Sequence, residues 1–79
     1  MATDEDKIEE EKRVRQLQRI VDFTCWVLRQ QPISFEEAQR MVGGVKEMAL
    51  RLFPDKEKTF DLIYGSRFRR ILIERFPLH

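Results

Sequence analysis

The segment PISFEEA, residues 32–38, carries the strongest local folding signals in this chain. Pro32 ends a preceding helix, because the residue before a proline avoids helical backbone geometry. Ser34 is followed three residues later by Glu37, a spacing that is typical of a capping box at a helix N-terminus. The segment therefore predicts a short link between two helices, and short links usually join antiparallel neighbours.

Helical periodicity continues on both sides of this link. The expected helices span residues 6–31, 35–52 and 56–76. Pro54 ends the second helix, and Asp55 is the expected N-cap of the third. The sequence lacks the sustained apolar–polar alternation and the Asn-Gly or Asp-Gly turns that indicate strands. We therefore expect one all-α domain over residues 1–79, a compact three-helix bundle in which residues 1–5 are frayed.

The apolar side chains that recur at helical spacing form the expected core. They are Val14, Leu17, Ile20, Val21, Thr24, Cys25, Val27 and Leu28 on the first helix, Ala38, Met41, Val42, Val45, Met48, Ala49 and Leu52 on the second, and Phe60, Ile63, Tyr64, Phe68, Ile71, Leu72 and Phe76 on the third. Gly43 and Gly44 lie mid-helix on the side opposite the second stripe. They are either a tolerated flexible point, which we favour, or a place where another backbone or a ligand approaches closely.

Phe23 and Trp26 fall outside the core face of the first helix, on the side that carries Arg15, Arg19 and Asp22. Two interpretations have equal weight. In the first, the two aromatic side chains pack beneath the third helix, which makes the first helix central with two apolar faces. In the second, Phe23 and Trp26 are a partner-binding patch.

Gly65 and Ser66 interrupt the third helix, again with two interpretations. Either Gly65 ends one short helix and Ser66 caps a fourth, or Gly65 is tolerated inside a single helix. If Ser66 caps a new helix, free backbone N–H groups are available to bind an anion beside three arginines. The candidate phosphate-binding residues are Ser66, Arg67, Arg69 and Arg70.

The plainer interpretation of these arginines is a solvated charged face. Arg70 and Glu74 are four residues apart and can pair on the same helix, and Arg67 can pair with Glu74 less directly. Arg69 points away from both on an ideal helix, so the three guanidinium groups do not share one side.

Composition argues against several classes of protein. Cys25 is the single cysteine and His79 the single histidine, so neither an internal disulfide nor a Cys/His zinc site is expected. No nucleophile–base pair, glycine-rich phosphate loop or metalloprotease motif occurs, and we expect neither an enzyme nor a cofactor. Cys25 is expected to be a small buried hydrophobe. The lone cysteine and the lack of a signal peptide favour a cytoplasmic protein, and no apolar run is long enough for a membrane span.

Charge is balanced in total but uneven along the chain, with 15 basic and 14 acidic side chains. Residues 1–13 hold six acidic and three basic side chains, a local net charge of −3. Residues 51–79 hold four acidic and seven basic side chains, a local net charge of +3. Such ends attract each other within the fold or between copies.

These observations together favour a non-enzymatic interaction module. Its expected partner is another protein or a second copy, which would give a homodimer. The alternative is a small nucleic-acid-binding regulator that uses the basic C-terminal helix. It is less favoured because dedicated nucleic-acid binders are usually strongly basic.

Overall fold

Three helices make up the fold. The computed structural model describes the backbone of residues 4–77 and the side chains of residues 7–77. The helices are Asp4–Gln30, Phe35–Leu52 and a third that passes without a break through Glu57–Phe60, Asp61–Gly65 and Ser66–Arg75. No strand occurs in this described part, which confirms the prediction of an all-α three-helix bundle. The prediction that residues 1–5 are frayed stays a prediction, because residues 1–3 lie outside the described backbone.

Local signals set the ends of the second helix. Ser34 has extended backbone geometry, and its Oγ accepts a hydrogen bond of 3.1 Å from the Glu37 backbone N–H. The predicted boundaries of this helix are confirmed at both ends. The prediction that Asp55 caps the third helix is wrong. Lys56 occupies the N-cap position without a side-chain hydrogen bond, and the helix begins one residue later.

The core is a thin layer between the three helices. Its buried residues are Leu17, Val21, Thr24, Cys25, Leu28, Ala38, Val45, Ala49, Phe60, Phe68 and Ile71. Thr24 satisfies its hydroxyl locally, since Oγ1 donates a 2.8 Å hydrogen bond to the Ile20 carbonyl. Val14 and Met48, which were predicted to be buried, are exposed at the margins of the packed faces. Side chains 7–16 are all exposed, so the N-terminal turns of the first helix contribute little to the core.

The third helix contains a π-helical turn at Asp61–Gly65. This turn decides between the two interpretations of Gly65. The Ser66 backbone N–H donates to the Asp61 carbonyl, five residues back, and both Gly65 and Ser66 have right-handed helical backbone angles. Gly65 is therefore inside one helix. The interpretation in which Ser66 caps a fourth helix is wrong.

This turn changes which side chains face the core. On a regular α-helix, Phe60 and Phe68 would lie about 80° apart around the axis. A π turn takes in one extra residue, which removes about 100° and returns both rings to the same side. Phe60 and Phe68 are accordingly both buried. Ile63, predicted as core, lies within the turn and is 53% exposed, because the rotation carries it out of the packed face.

Two cationic side chains tie the third helix to the other two. Lys46 Nζ on the second helix lies 3.0 Å from Asp61 Oδ1 and 3.2 Å from Glu57 Oε1. Hydrogen bonds to Asp61 and then Glu57 raise the pKa of Lys46. Arg75 donates to the carbonyl oxygens of Leu28 and Gln31, and the Gln31 carbonyl also accepts a hydrogen bond of 2.9 Å from the Ile33 backbone N–H. The third helix therefore runs parallel to the first, with their C-terminal ends together.

We predict that Arg75→Ala lowers the free energy of unfolding by about 1–3 kcal/mol, because it removes both hydrogen bonds of the guanidinium group and takes this donor from the partly buried Leu28 carbonyl. Urea unfolding followed by circular dichroism measures the change. Arg69→Ala on the same helix is the matched control, and its effect should stay within about 0.5 kcal/mol. Equal losses for the two variants would show that the Arg75 contacts contribute nothing.

We also predict that Gly43→Ala and Gly44→Ala each stabilise the fold by about 0.5–1 kcal/mol. A Cβ at either position meets no heavy atom within 4 Å, so the gain in helix propensity is not offset by a clash. A higher urea midpoint with an unchanged slope is the expected observation. A lower midpoint would indicate that a second backbone packs against these glycines in solution.

Candidate functional site

Phe23 and Trp26 are exposed to solvent. Phe23 is 63% and Trp26 53% exposed, and their rings stack with centroids 6.4 Å apart and an interplanar angle of 24°. The interpretation that places them beneath the third helix is therefore wrong. The second and third helices both pack on the broad face that contains Val21 and Leu28, and leave the aromatic side of the first helix open.

Trp26 lines a cleft of about 720 Å³ between the first and third helices. The lining residues are Asp22, Cys25, Trp26, Arg29, Gln30, Ile63, Ser66, Arg67 and Arg70. Arg67 Nη1 lies 3.7 Å from Asp22 Oδ1, an exposed ion pair that joins the two walls. Phe23 borders the cleft through its stacking on Trp26. We call Phe23, Trp26, Arg29, Arg67 and Arg70 the aromatic–arginine cleft.

Only part of the predicted anion-binding set lies in this cleft. Arg67 and Arg70 line it, whereas Arg69 lies at a separate small pocket beside Phe35 and Ile73. This separation agrees with the helical geometry expected from the sequence. Arg29 was not singled out from the sequence, although it follows Trp26 by three residues and therefore lies on the same side of the first helix.

Ser66 does not provide a free helix N-terminus. Its backbone N–H is used in the π turn, and its Oγ donates a 2.7 Å hydrogen bond to the Leu62 carbonyl. The expectation of free N–H groups beside the arginines is therefore wrong, since the helix continues through this point. Ser66 stays a cleft-lining candidate through its hydroxyl oxygen, and any anion would be bound by guanidinium groups.

The ion pairs also differ from those expected. Arg67 pairs with Asp22 across the helix interface and not with Glu74 along its own helix. Within residues 7–77, Arg29 and Arg70 form no ion pair. Two of the three cleft arginines are therefore unneutralised, and the cleft is electropositive.

Cys25 lies at the floor of the cleft but has the properties of a buried core residue. Its thiol is free and buried. Burial raises the pKa of the Cys25 thiol, and the nearby Arg67 and Arg29 guanidinium groups offset this only in part. A thiol that stays protonated at neutral pH is a poor nucleophile.

Further apolar surface is exposed on the third helix. Leu62 is 77% and Ile73 61% exposed, and neither belongs to the apolar stripe expected on this helix from the sequence. A second groove of about 230 Å³, lined mainly by apolar residues that include Val14 and Tyr64, also contains Ile63 in its wall. Ile63 therefore connects the two concave surfaces.

Within side chains 7–77, no group of three or more His, Cys, Asp or Glu residues is placed to hold a metal ion. Across the part of the chain that the structure describes, no helix is both long and apolar enough to cross a bilayer. Comparison with protein-family models, with curated proteins and with solved structures gives no match to this chain. The cleft is therefore interpreted from its own geometry.

The buried position of Cys25 predicts slow alkylation by iodoacetamide in the native protein at pH 8, compared with the chain unfolded in urea. Because the folded-state pKa is raised, the thiol favours folding below the unfolded-state pKa of about 8.5, and this contribution is lost as the pH rises through the folded-state value. The wild-type protein should therefore lose more stability above pH 8.5 than Cys25→Ala does. Equal native and unfolded labelling rates would show that the thiol is accessible.

Proposed function

We propose that this protein is a non-enzymatic helical interaction module that binds a protein partner through the aromatic–arginine cleft. The observation that carries the proposal is that two exposed, stacked aromatic rings lie beside three arginines drawn from two helices. Trp, Phe and Arg are the side chains that most often anchor protein interfaces. The buried, unbridged Cys25 is compatible with action in the cytoplasm.

The apolar part of the cleft supports a protein partner. Trp26 and Ile63 line it from opposite helices, and Phe23 extends the apolar surface along the first helix. Monomeric proteins rarely leave large contiguous apolar patches in water. A partner side chain inserted between Trp26 and Ile63 would gain about 25 cal/mol for each Å² of apolar surface removed from water.

The charged part of the cleft favours a partner with acidic side chains. Three arginines and one aspartate line it, and the aspartate is already paired with Arg67. Burying Arg29 and Arg70 against an uncharged surface would cost their hydration without a compensating contact. Carboxylates on the partner would form charge-assisted hydrogen bonds with these guanidinium groups. The partner we propose therefore combines an apolar anchor with flanking Asp or Glu residues.

The alternative is a nucleic-acid-binding regulator that uses the same arginines. Trp26 would stack on a base, and the guanidinium groups would contact phosphates. We favour the protein partner because exposed Leu62 and Ile63 gain little from a phosphate backbone, and because Arg69 lies at a different pocket. The net charge of +1 also supplies little long-range attraction for nucleic acid.

Selection of helical peptides from a randomised display library tests the proposal. Bound peptides should be enriched in Asp and Glu around one or two apolar residues, because both features complement the cleft. Trp26 is the single tryptophan, so its fluorescence reports directly on occupancy. Trp26→Ala should weaken binding of a selected, fluorescently labelled peptide by about 30-fold, the loss typical of an interface anchor.

Arg69→Ser is the matched control, because it removes the same charge from the same helix outside the cleft. It should leave peptide affinity unchanged, while Arg67→Ser and Arg70→Ser reduce it. Peptides that bind Trp26→Ala as tightly as wild type would contradict the proposal. Steeply salt-dependent binding to single-stranded oligonucleotides, lost in Arg67→Ser, would favour the alternative.

A further inference from the structure

We propose that the occupant of the aromatic–arginine cleft is the N-terminal part of the first helix of a second copy of this chain, in an antiparallel homodimer. This inference rests on the proposed function and names its partner. The segment in question, which we call the acidic overhang, is residues 4–13. It carries six acidic and three basic side chains, a net charge of −3.

The acidic overhang has the features that the cleft would select. Ile8 is 51% exposed on an otherwise charged segment and supplies an apolar anchor. Glu9 follows Ile8 directly, Glu11 lies almost one helical turn after Ile8, and both are exposed. Arg13, one of the three basic residues, is directed to the bundle, where its guanidinium carbon lies 6.0 Å from the centre of the Phe53 ring. The segment is acidic by sequence, with six acidic and three basic side chains, and its exposed Glu9, Glu10 and Glu11 lie among the exposed basic side chains Lys7, Lys12 and Arg13.

The overhang cannot reach the cleft of its own chain. Ile8 and Trp26 belong to one continuous helix, Asp4–Gln30, and are 18 residues apart. At the rise of an α-helix, this separation is about 27 Å. The two complementary surfaces are thus fixed at opposite ends of a rigid element, and only another molecule can bring them together.

A two-fold axis satisfies both contacts at once. If two first helices run antiparallel, the overhang of each copy meets the cleft of the other, and the assembly closes as a dimer. Arg15 and Arg19, which are exposed on the same side as Trp26, lie near the middle of this arrangement and repel their counterparts. The attraction is therefore concentrated at the two ends, and the association should be sensitive to salt.

Sedimentation equilibrium on the full chain tests the dimer. The mass should rise from 9.6 kDa towards twice that value as concentration increases at low salt. It should return towards the monomer near 1 M salt, where the screening length falls to about 3 Å. Trp26 fluorescence should shift to the blue, and iodide quenching should fall, over the same range of concentration. A monomer at every concentration would overturn the inference.

Charge reversal identifies the surfaces. Glu9→Lys with Glu11→Lys in one variant, and Arg67→Glu with Arg70→Glu in another, should each weaken self-association at least about tenfold. An equimolar mixture of the two variants should restore a dimer, because both of its contacts then pair opposite charges. Glu47→Lys with Arg69→Glu, two exposed charge reversals outside these surfaces, is the control and should dimerise like wild type. Circular dichroism verifies that each variant is folded.

The outcomes separate this inference from the proposed function. Dimers that persist in both charge-reversal variants, or a mixture that stays monomeric, would place the interface elsewhere and overturn the pairing proposed here. A monomeric wild-type protein that still selects acidic, apolar peptides through Trp26 would retain the interaction module with a different partner. A protein that neither dimerises nor selects such peptides would contradict both.

Discussion

The π-helical turn at Asp61–Gly65 is the constraint on which the rest of the structure depends. The extra residue places Phe60 and Phe68 on one side of the third helix, so that both rings close the thin core. The same rotation turns Ile63 outward and leaves Arg67 within reach of Asp22 on the first helix. With regular α-helical spacing, burying Phe68 would leave Phe60 displaced by about 80° and partly in water. The π-helical turn therefore determines both the packing of the core and the position of the cleft wall on the third helix.

The sequence predicted the features that local chemistry determines. Pro32, Ser34 and Pro54 act on the backbone within a turn of themselves, and the second helix begins and ends where they indicate. The π turn was not predictable in the same way, because the core was assigned with a constant 100° for each residue. A constant angle takes no account of an extra residue within a turn, and for this reason Ile63 was wrongly predicted to be buried. Gly65 marked the location without indicating the kind of irregularity.

The candidate site was predicted in its components but not in its arrangement. Phe23, Trp26, Arg67 and Arg70 were all identified from residue type and helical phase. Whether the aromatic rings were covered depended on which side of the first helix receives the third, and that is decided by long-range packing. The partner of Arg67 was likewise misjudged, since Glu74 is close in sequence and Asp22 is close only in the folded chain. Arg29 lines the cleft because the same packing places the third helix beside it.

The aromatic side of the first helix is exposed because the described part of the chain has only two other helices to cover it. A helix surrounded on two sides needs neighbours on opposite faces, but here the second and third helices share the face of Leu17, Val21 and Leu28. Buried side chains of both helices, among them Val45 and Phe68, pack in the same core cluster, so neither helix is free to move across to Trp26. Residues 4–77 contain no fourth element that could do so. The described helices leave this apolar surface uncovered and edged by unpaired arginines, and such a surface is suited to a partner.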